Sequence, residues 1–233
     1  TRNTKVLEVG CGRATASIYL GLQRGCELKP IDYSKKAVEI ANYNLNNYNL
    51  PQTAECGDMY TYTSQEKYDV VLSYGVMEHM PDIESAYRAM SLLLKPGGVM
   101  LSMNVPEKKF NIQSIFAPLN RILFFIRKCL NFADDKPWLD SKNRGQTGSV
   151  YRTYSNSETF KQHCLNAGFI DAEILEVNPF PTINPLPKSL ERLCVKIFTL
   201  ILRARDIFSN DDYKFLTSKN LSRCHFIIAS TPK

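Results

Sequence analysis

No run of apolar residues in this chain approaches the roughly 20 that a membrane-spanning helix requires: Lys196 interrupts the best stretch, and Arg121 and Arg127 flank the next. Cysteine is present, but no Cys-x-x-Cys pair is, so neither a zinc knuckle nor a dithiol redox centre is indicated. The seven cysteines (Cys11, Cys26, Cys56, Cys129, Cys164, Cys194 and Cys224) are odd in number and scattered. They read as free thiols in a reducing compartment, most simply the cytoplasm. Histidine is scarce too. His79 has no second histidine at helical spacing, which argues against a metal site, and His163 and His225 fall in a predicted surface helix and strand.

What remains is a chain of 233 residues, 44% hydrophobic. That is enough for one sizeable core with inserts and too little for two full domains. Thr1 stands where a Met would begin a chain and the first strand follows almost at once, so the sequence reads as shortened and no leader can be judged from it. The net charge is +6, unevenly spread. Residues 106–150 and 188–223 each hold eight Lys/Arg against four Asp/Glu, leaving −2 for the rest. The basic character therefore belongs to the inserts, and it fits either an anionic partner or plain solvated helix faces.

Alternation of strands and helices dominates the first hundred residues. Lys5–Val9 is a short apolar strand, Thr15–Leu22 has helical spacing, and Glu27–Ile31 is a second strand ending at Asp32. Ser34 is an N-cap candidate for a helix reaching Leu45, which the Asn-rich stretch before Pro51 stops. A weak third strand spans Thr53–Cys56. Tyr68–Ser73 contains the unbroken apolar run Val70-Val71-Leu72, as in a strand covered on both faces. Ser85–Leu94 is predicted helical, and Lys95-Pro96-Gly97-Gly98 turns into strand Val99–Asn104. This rhythm predicts a doubly wound α/β sheet.

After Pro106 the rhythm breaks. Ile112, Ile115, Phe116, Leu119, Ile122, Leu123 and Ile126 keep helical phase, and Asp134–Val150 reads as a polar loop. Ser155–Asn166 is a helix with Gly168 as its stop, Ile170–Val177 a sixth strand, and Cys224–Ser230 a seventh. Between them four prolines (Pro179, Pro181, Pro185, Pro187) forbid regular structure until Ser189, where Leu190, Leu193, Ile197 and Ile201 resume helical spacing. The expected organisation is one domain, residues 1–233, with an insertion or cap at 106–150 and a second insertion at 179–223.

The chemistry is concentrated where the first strand turns into the first helix. In Glu8-Val9-Gly10-Cys11-Gly12-Arg13-Ala14 the two glycines permit a sharp turn and a close ligand, and the helix amides offer hydrogen bonds. Asp32 ends the next strand about 20 residues on, the spacing at which a carboxylate can hold both hydroxyls of a ribose. A nicotinamide-binding domain would share this much but favours a third glycine where Ala14 stands.

Val6-Leu7-Glu8-Val9-Gly10-Cys11-Gly12, Ile31-Asp32-Tyr33-Ser34, Cys56-Gly57-Asp58-Met59, Tyr68–Ser73 with Met77-Glu78-His79-Met80, and Leu94-Lys95-Pro96-Gly97-Gly98 together resemble the motifs of class I S-adenosylmethionine-dependent methyltransferases, above all the quinone-biosynthetic and related small-molecule branch. The likeness covers most of Lys5–Val105 and resumes at Tyr154–Ile170. It implies a Rossmann-like, seven-stranded, mostly parallel sheet with helices on both faces, an antiparallel last strand, and helical insertions after strands five and six. By resemblance, Glu8 would orient the methionyl amino group of S-adenosylmethionine, and Gly10, Cys11 and Gly12 would approach the methionyl part. Asp32 would hold the ribose, Asp58 the adenine amino group, and Met59 and Tyr33 the faces of the ring. Ser73 and Tyr74 would touch the methionyl portion.

Methyl transfer by direct displacement asks the protein chiefly to align donor and nucleophile and to exclude water. For a hydroxyl acceptor a general base helps, and His79 is the candidate, against the alternative that Glu78-His79 only caps the next helix. The two amphipathic segments, with Arg121, Arg127 and Lys128 in one and Arg192, Lys196 and Arg203 in the other, suit covering a small-molecule or lipid-like acceptor or resting peripherally on an anionic membrane. Packing on the core or a dimer interface explains them equally. An RNA or protein methyltransferase and a non-catalytic cofactor-binding interaction subunit are the alternatives. Nucleic acid is disfavoured, because no basic strip with stacking aromatics is present.

Overall fold

The computed structural model describes residues 3–108, 110–129, 151–153, 155–177, 187–207 and 222–233. The polar loop expected over 134–150, Tyr154, and the proline-rich stretch before Pro187 lie outside the described residues. Seven strands, β1 Lys5–Val9, β2 Glu27–Asp32, β3 Glu55–Cys56, β4 Tyr68–Tyr74, β5 Leu94–Asn104, β6 Ile170–Val177 and β7 Cys224–Ser230, are joined by helices α1 Thr15–Arg24, α2 Lys35–Asn47, α3 Ile83–Leu93, α4 Ile112–Cys129, α5 Ser157–Asn166 and α6 Lys188–Ile207.

The sheet order is β3-β2-β1-β4-β5-β7-β6. Strands β1 to β5 pair in parallel, and β7 runs antiparallel to β5. This is the mostly parallel seven-stranded sheet that the sequence rhythm and the resemblance imply. The order reverses direction between β1 and β4, and the crevice outside the strand ends at such a switch point is where open α/β sheets bind ligands.

Local sequence accounts for most element ends. The Ser34 side chain caps α2 by accepting from Ala37 N, as expected. Several boundaries shift by a residue or more, two of them for a visible reason. Helix α3 starts at Ile83 rather than Ser85, because Asp82 is its cap and accepts from Ser85 N at 3.0 Å. Strand β5 begins at Leu94 rather than Val99: Leu94 pairs with Tyr68 and Val99 with Val70, so Lys95–Gly98 is looped out as a bulge within the strand. Gly97 takes φ +70° there.

The main core joins Leu7, Val71 and Met100 of the sheet to Tyr87 and Met90 of α3 and Phe160 and Cys164 of α5. His225 was expected on a surface strand and is instead fully buried. Helix α5 covers it, the Phe160 ring lying 5.5 Å from the imidazole centroid to centroid, and a polar group buried there needs partners. His225 Nδ1 meets Ser157 Oγ at 3.1 Å and its Nε2 meets Asn104 Nδ2 at 3.3 Å. Asn104 Oδ1 in turn accepts from Ser102 Oγ, which also accepts from Ser73 Oγ.

The chain separates into two compact units, Thr1–Glu107 with Arg152–Leu175 and His225–Lys233, and Lys108–Tyr151 with Glu176–Cys224. The second contains α4 and α6, and within it Lys108 Nζ pairs with Glu176 Oε2 at 2.7 Å, both side chains largely buried. The Ser222 hydroxyl bonds both partners. Among the described residues no helix is long and apolar enough to cross a membrane.

Candidate functional site

Loops that follow the carboxyl ends of four neighbouring parallel strands meet around one cavity of about 500 Å³. Gly10 comes from the end of β1, Asp32 and Tyr33 from β2, Gly57, Asp58, Met59 and Tyr60 from β3, and Gly75, Val76, His79 and Met80 from β4. The size lies within the roughly 300–1,000 Å³ of small-molecule sites.

Glycine is required at the first turn. Gly10 has φ +69°, and a Cβ there would lie 2.5 Å from Val76 Cγ2, so the β1 loop and the β4 loop close against each other only without a side chain. Gly12 has φ +54° with open space where its Cβ would be. Ala14, in the place of a third glycine, also adopts a left-handed conformation, φ +56°, as the cap residue of α1.

Asp32 is fixed by backbone. Its Oδ2 accepts from Gly12 N at 2.8 Å and its Oδ1 from Ser34 N at 2.8 Å. A carboxylate oxygen has two lone-pair positions, so both oxygens keep acceptor capacity for a ligand. Asp58 Oδ1 accepts from Tyr60 N at 2.9 Å, a local Asx turn that sets the β3 loop. Met59 is buried in the cavity wall, whereas Tyr33 is 78% exposed. His79 ends the 3-10 turn Met77–His79, whose bond from His79 N to Val76 O is 2.9 Å.

Six residues expected at a cofactor or catalytic site therefore line one cavity: Gly10, Asp32, Tyr33, Asp58, Met59 and His79. Five expected there do not line it: Glu8, Cys11, Gly12, Ser73 and Tyr74. Glu8 is buried behind the turn and accepts from both the backbone N–H and the hydroxyl of Ser17, tying α1 to β1. Desolvation raises its carboxyl above the ordinary range, the Ser17 bonds oppose this, and the Asp32 charge adds to it. Cys11 is buried, and its thiol is pushed up to about 12, chiefly by burial and then by the nearby Glu8 and Asp32 charges. Gly12 acts on the site through its bond to Asp32. Ser73 is buried against Ser102, and Tyr74 packs on Phe226.

Sequence reasoning missed Tyr60, Gly75, Val76 and Met80. All follow the ends of β3 and β4, and the rule that ligands sit outside the carboxyl ends of parallel strands would have pointed to them. Tyr60 also braces the wall, donating its hydroxyl to Asp82 O at 3.0 Å. Among the described residues no cluster of His, Cys, Asp and Glu could hold a metal ion.

Fold and site together define an α/β domain with a cavity at the switch point of its sheet. Residues 7–102, about two fifths of the chain, match the family model described as a methyltransferase domain. The chain is 34% identical over 96 residues to a ubiquinone biosynthesis O-methyltransferase of Chromobacterium violaceum, covering 40% of this chain and 41% of that protein. It is 35% identical over 98 residues to the protein of that name from Azoarcus sp., covering 41% and 42%. The match thus spans about two fifths of those relatives. Among solved structures, the phosphoethanolamine N-methyltransferase 2 of Haemonchus contortus in complex with S-adenosyl-L-methionine is similar in fold, with a TM-score of 0.59, 15% identity, and coverage of 100% of this chain and 50% of that one. A SAM-dependent methyltransferase from Archaeoglobus fulgidus gives 0.55 at 14% identity, covering 98% and 86%.

Proposed function

We propose that this chain transfers a methyl group from S-adenosylmethionine to a hydroxyl of a small-molecule or lipid-like acceptor by direct displacement. The observation that carries the reading is the convergence of Gly10, Asp32, Asp58 and Met59 on one cavity. These residues fit the cofactor: an anchored carboxylate with spare acceptor capacity suits a ribose diol, a second carboxylate suits an adenine amino group, and a buried methionine suits the face of a base. Gly10 keeps the backbone open to the methionyl arm. Glu8 and Gly12 act behind the wall, one fixing α1 and the other aiming Asp32. When bound, the cofactor supplies a sulfonium-activated methyl group. The protein's share is to hold the acceptor in line with it and keep water out, and His79, on the same cavity wall, accepts the acceptor's proton. The relatives named for ubiquinone biosynthesis favour oxygen as the acceptor atom.

We take 106–150 and 179–223 as insertions and infer that they bring the enzyme to an anionic membrane surface. Ile115, Ile122 and Phe125 of α4 and Leu193, Ile197, Leu200 and Ile201 of α6 are exposed, with Arg192, Lys196 and Arg203 exposed on α6. Apolar contact supplemented by basic residues is how interfacial helices bind anionic lipid. The seven free thiols suit the cytoplasm.

Calorimetry with S-adenosylmethionine followed by transfer of a labelled methyl group tests the first reading. Binding and turnover are expected, and absence of binding ends it. Replacing His79 with Ala should lower turnover about 100-fold or more if it takes the proton, and an unchanged rate removes it from that role. Flotation with phosphatidylglycerol vesicles but not with phosphatidylcholine vesicles is expected for the surface reading, and failure to float with either refutes it.

A further inference from the structure

Tyr74 pairs with Met103 across β4 and β5, and Met103 pairs with Phe226 across β5 and β7. Residues in register across a sheet project to the same face, so the three form a row at the carboxyl end of β4. The outer two rings close over buried Met103, meeting edge to face with centroids 6.2 Å apart at 63°. Tyr74 nevertheless keeps 54% of its surface exposed. The next residue, Gly75, lines the cavity.

On the other side of that glycine lies Glu78. It is only 3% exposed, and its Oε2 has no hydrogen-bond partner among the described residues. A Cβ placed on Gly75 would come 3.8 Å from Glu78 Oε1 and 4.0 Å from Met103 Cε. Gly75, which lines the cavity, thus lies near both the carboxyl and the Met103 side chain of the row. Desolvation raises the Glu78 carboxyl above its ordinary range, with the neighbouring backbone, His79 and Arg152 opposing. Burying a carboxyl oxygen without a partner is costly, and a ligand group that supplies the missing bond removes the cost.

We propose that Tyr74, Phe226 and Glu78 form the methyl-acceptor subsite, taking a planar, hydroxyl-bearing ring that packs on the aromatic pair and hydrogen-bonds through its hydroxyl to Glu78. The proposal rests on the methyltransferase reading and gives Tyr74 a role different from contact with the cofactor. Aromatic pairs of this kind favour flat partners beyond simple area burial, and the single polar group beside them sets the ring's orientation.

The test uses the full chain, S-adenosylhomocysteine, and 4-butylcatechol as the probe. Calorimetry should show S-adenosylhomocysteine binding wild type, Tyr74→Ala, Phe226→Leu and Glu78→Gln within about twofold, while probe affinity for the loaded protein falls about tenfold in each variant. Butylbenzene, which has the ring without hydroxyls, should bind wild type and Glu78→Gln alike. Equal probe affinity in all four proteins overturns the subsite. So does a loss of S-adenosylhomocysteine affinity in Tyr74→Ala with the probe unaffected, which would put Tyr74 on the cofactor. Failure of wild type to bind the probe while it binds S-adenosylhomocysteine sinks the subsite alone. Failure to bind S-adenosylhomocysteine sinks the methyltransferase reading with it.

Discussion

Gly12 donates its backbone N–H to Asp32 Oδ2 at 2.8 Å, so the turn after the first strand aims the acid that ends the second. The other oxygen takes Ser34 N. Asn in place of Asp32 has one acceptor oxygen and one amide nitrogen that can only donate, so one of those two N–H groups would face another donor. Asp32→Asn should therefore destabilise the fold by about 1–3 kcal/mol in urea unfolding. It should also weaken S-adenosylmethionine binding in calorimetry at least as much as Asp32→Ala does, although it is the closer mimic in shape.

Gly10 and Gly12 look equivalent in sequence and should not behave alike. Gly12→Ala meets open space and pays only for its left-handed backbone, about 1–2 kcal/mol. Gly10→Ala adds a collision with Val76, about 1–3 kcal/mol more. Removing the obstacle with Val76→Ala in the Gly10→Ala background should recover the collision share and leave the backbone share, read as the difference between urea midpoints.

Glu78 makes stability depend on pH. Its carboxyl is raised from the usual 4.5, chiefly by desolvation, so the folded protein holds that proton more tightly than the unfolded chain. The contribution to stability is present in acid and is lost as pH rises from 4.5 through the higher folded value. Glu78→Gln carries no charge to desolvate. Its thermal midpoint should lie above wild type near about pH 7, and the gain should vanish by about pH 4. A midpoint difference that is flat across this range would show that the Glu78 carboxyl is solvated.

The buried pair Lys108–Glu176 should be sensitive to losing one member and tolerant of losing both. Lys108→Met leaves a buried carboxylate without its cation and should cost about 3–5 kcal/mol. Lys108→Met with Glu176→Leu should recover most of that loss, because the desolvation penalty disappears with the charges. Chemical denaturation of the two variants decides between this and a pair that contributes nothing.

The elements nearest the first glycine turn were the most legible, because their chemistry is local: a turn needs Gly10, a helix start needs Ser34, and a strand-ending acid needs only the right spacing. Where the deciding partner was remote in sequence, the reading fell short. The start of α3 is the exception, since Asp82 caps Ser85 N only three residues on, a local signal that the reading passed over. Strand β5 starts early because Tyr68 offers Leu94 a partner across the bulge, which no periodicity in 94–104 could show. His225 looked superficial because the residues that cover it, Ser157 and Phe160 of α5, lie far away in sequence. Glu8 and Ser73 belong to the expected motifs, yet both face inward behind the cavity, supporting its wall rather than lining it. Tyr60 and Val76 reach the cavity through loop shape alone.

Among the described residues, every one lining the cavity falls between Val9 and Met80, ahead of both expected inserts. On the proposed reading, the contacts to the methyl donor are encoded in one uninterrupted stretch of sequence, while the later segments are at liberty to diverge. A lineage could revise those later segments and inherit the methyl supply unchanged.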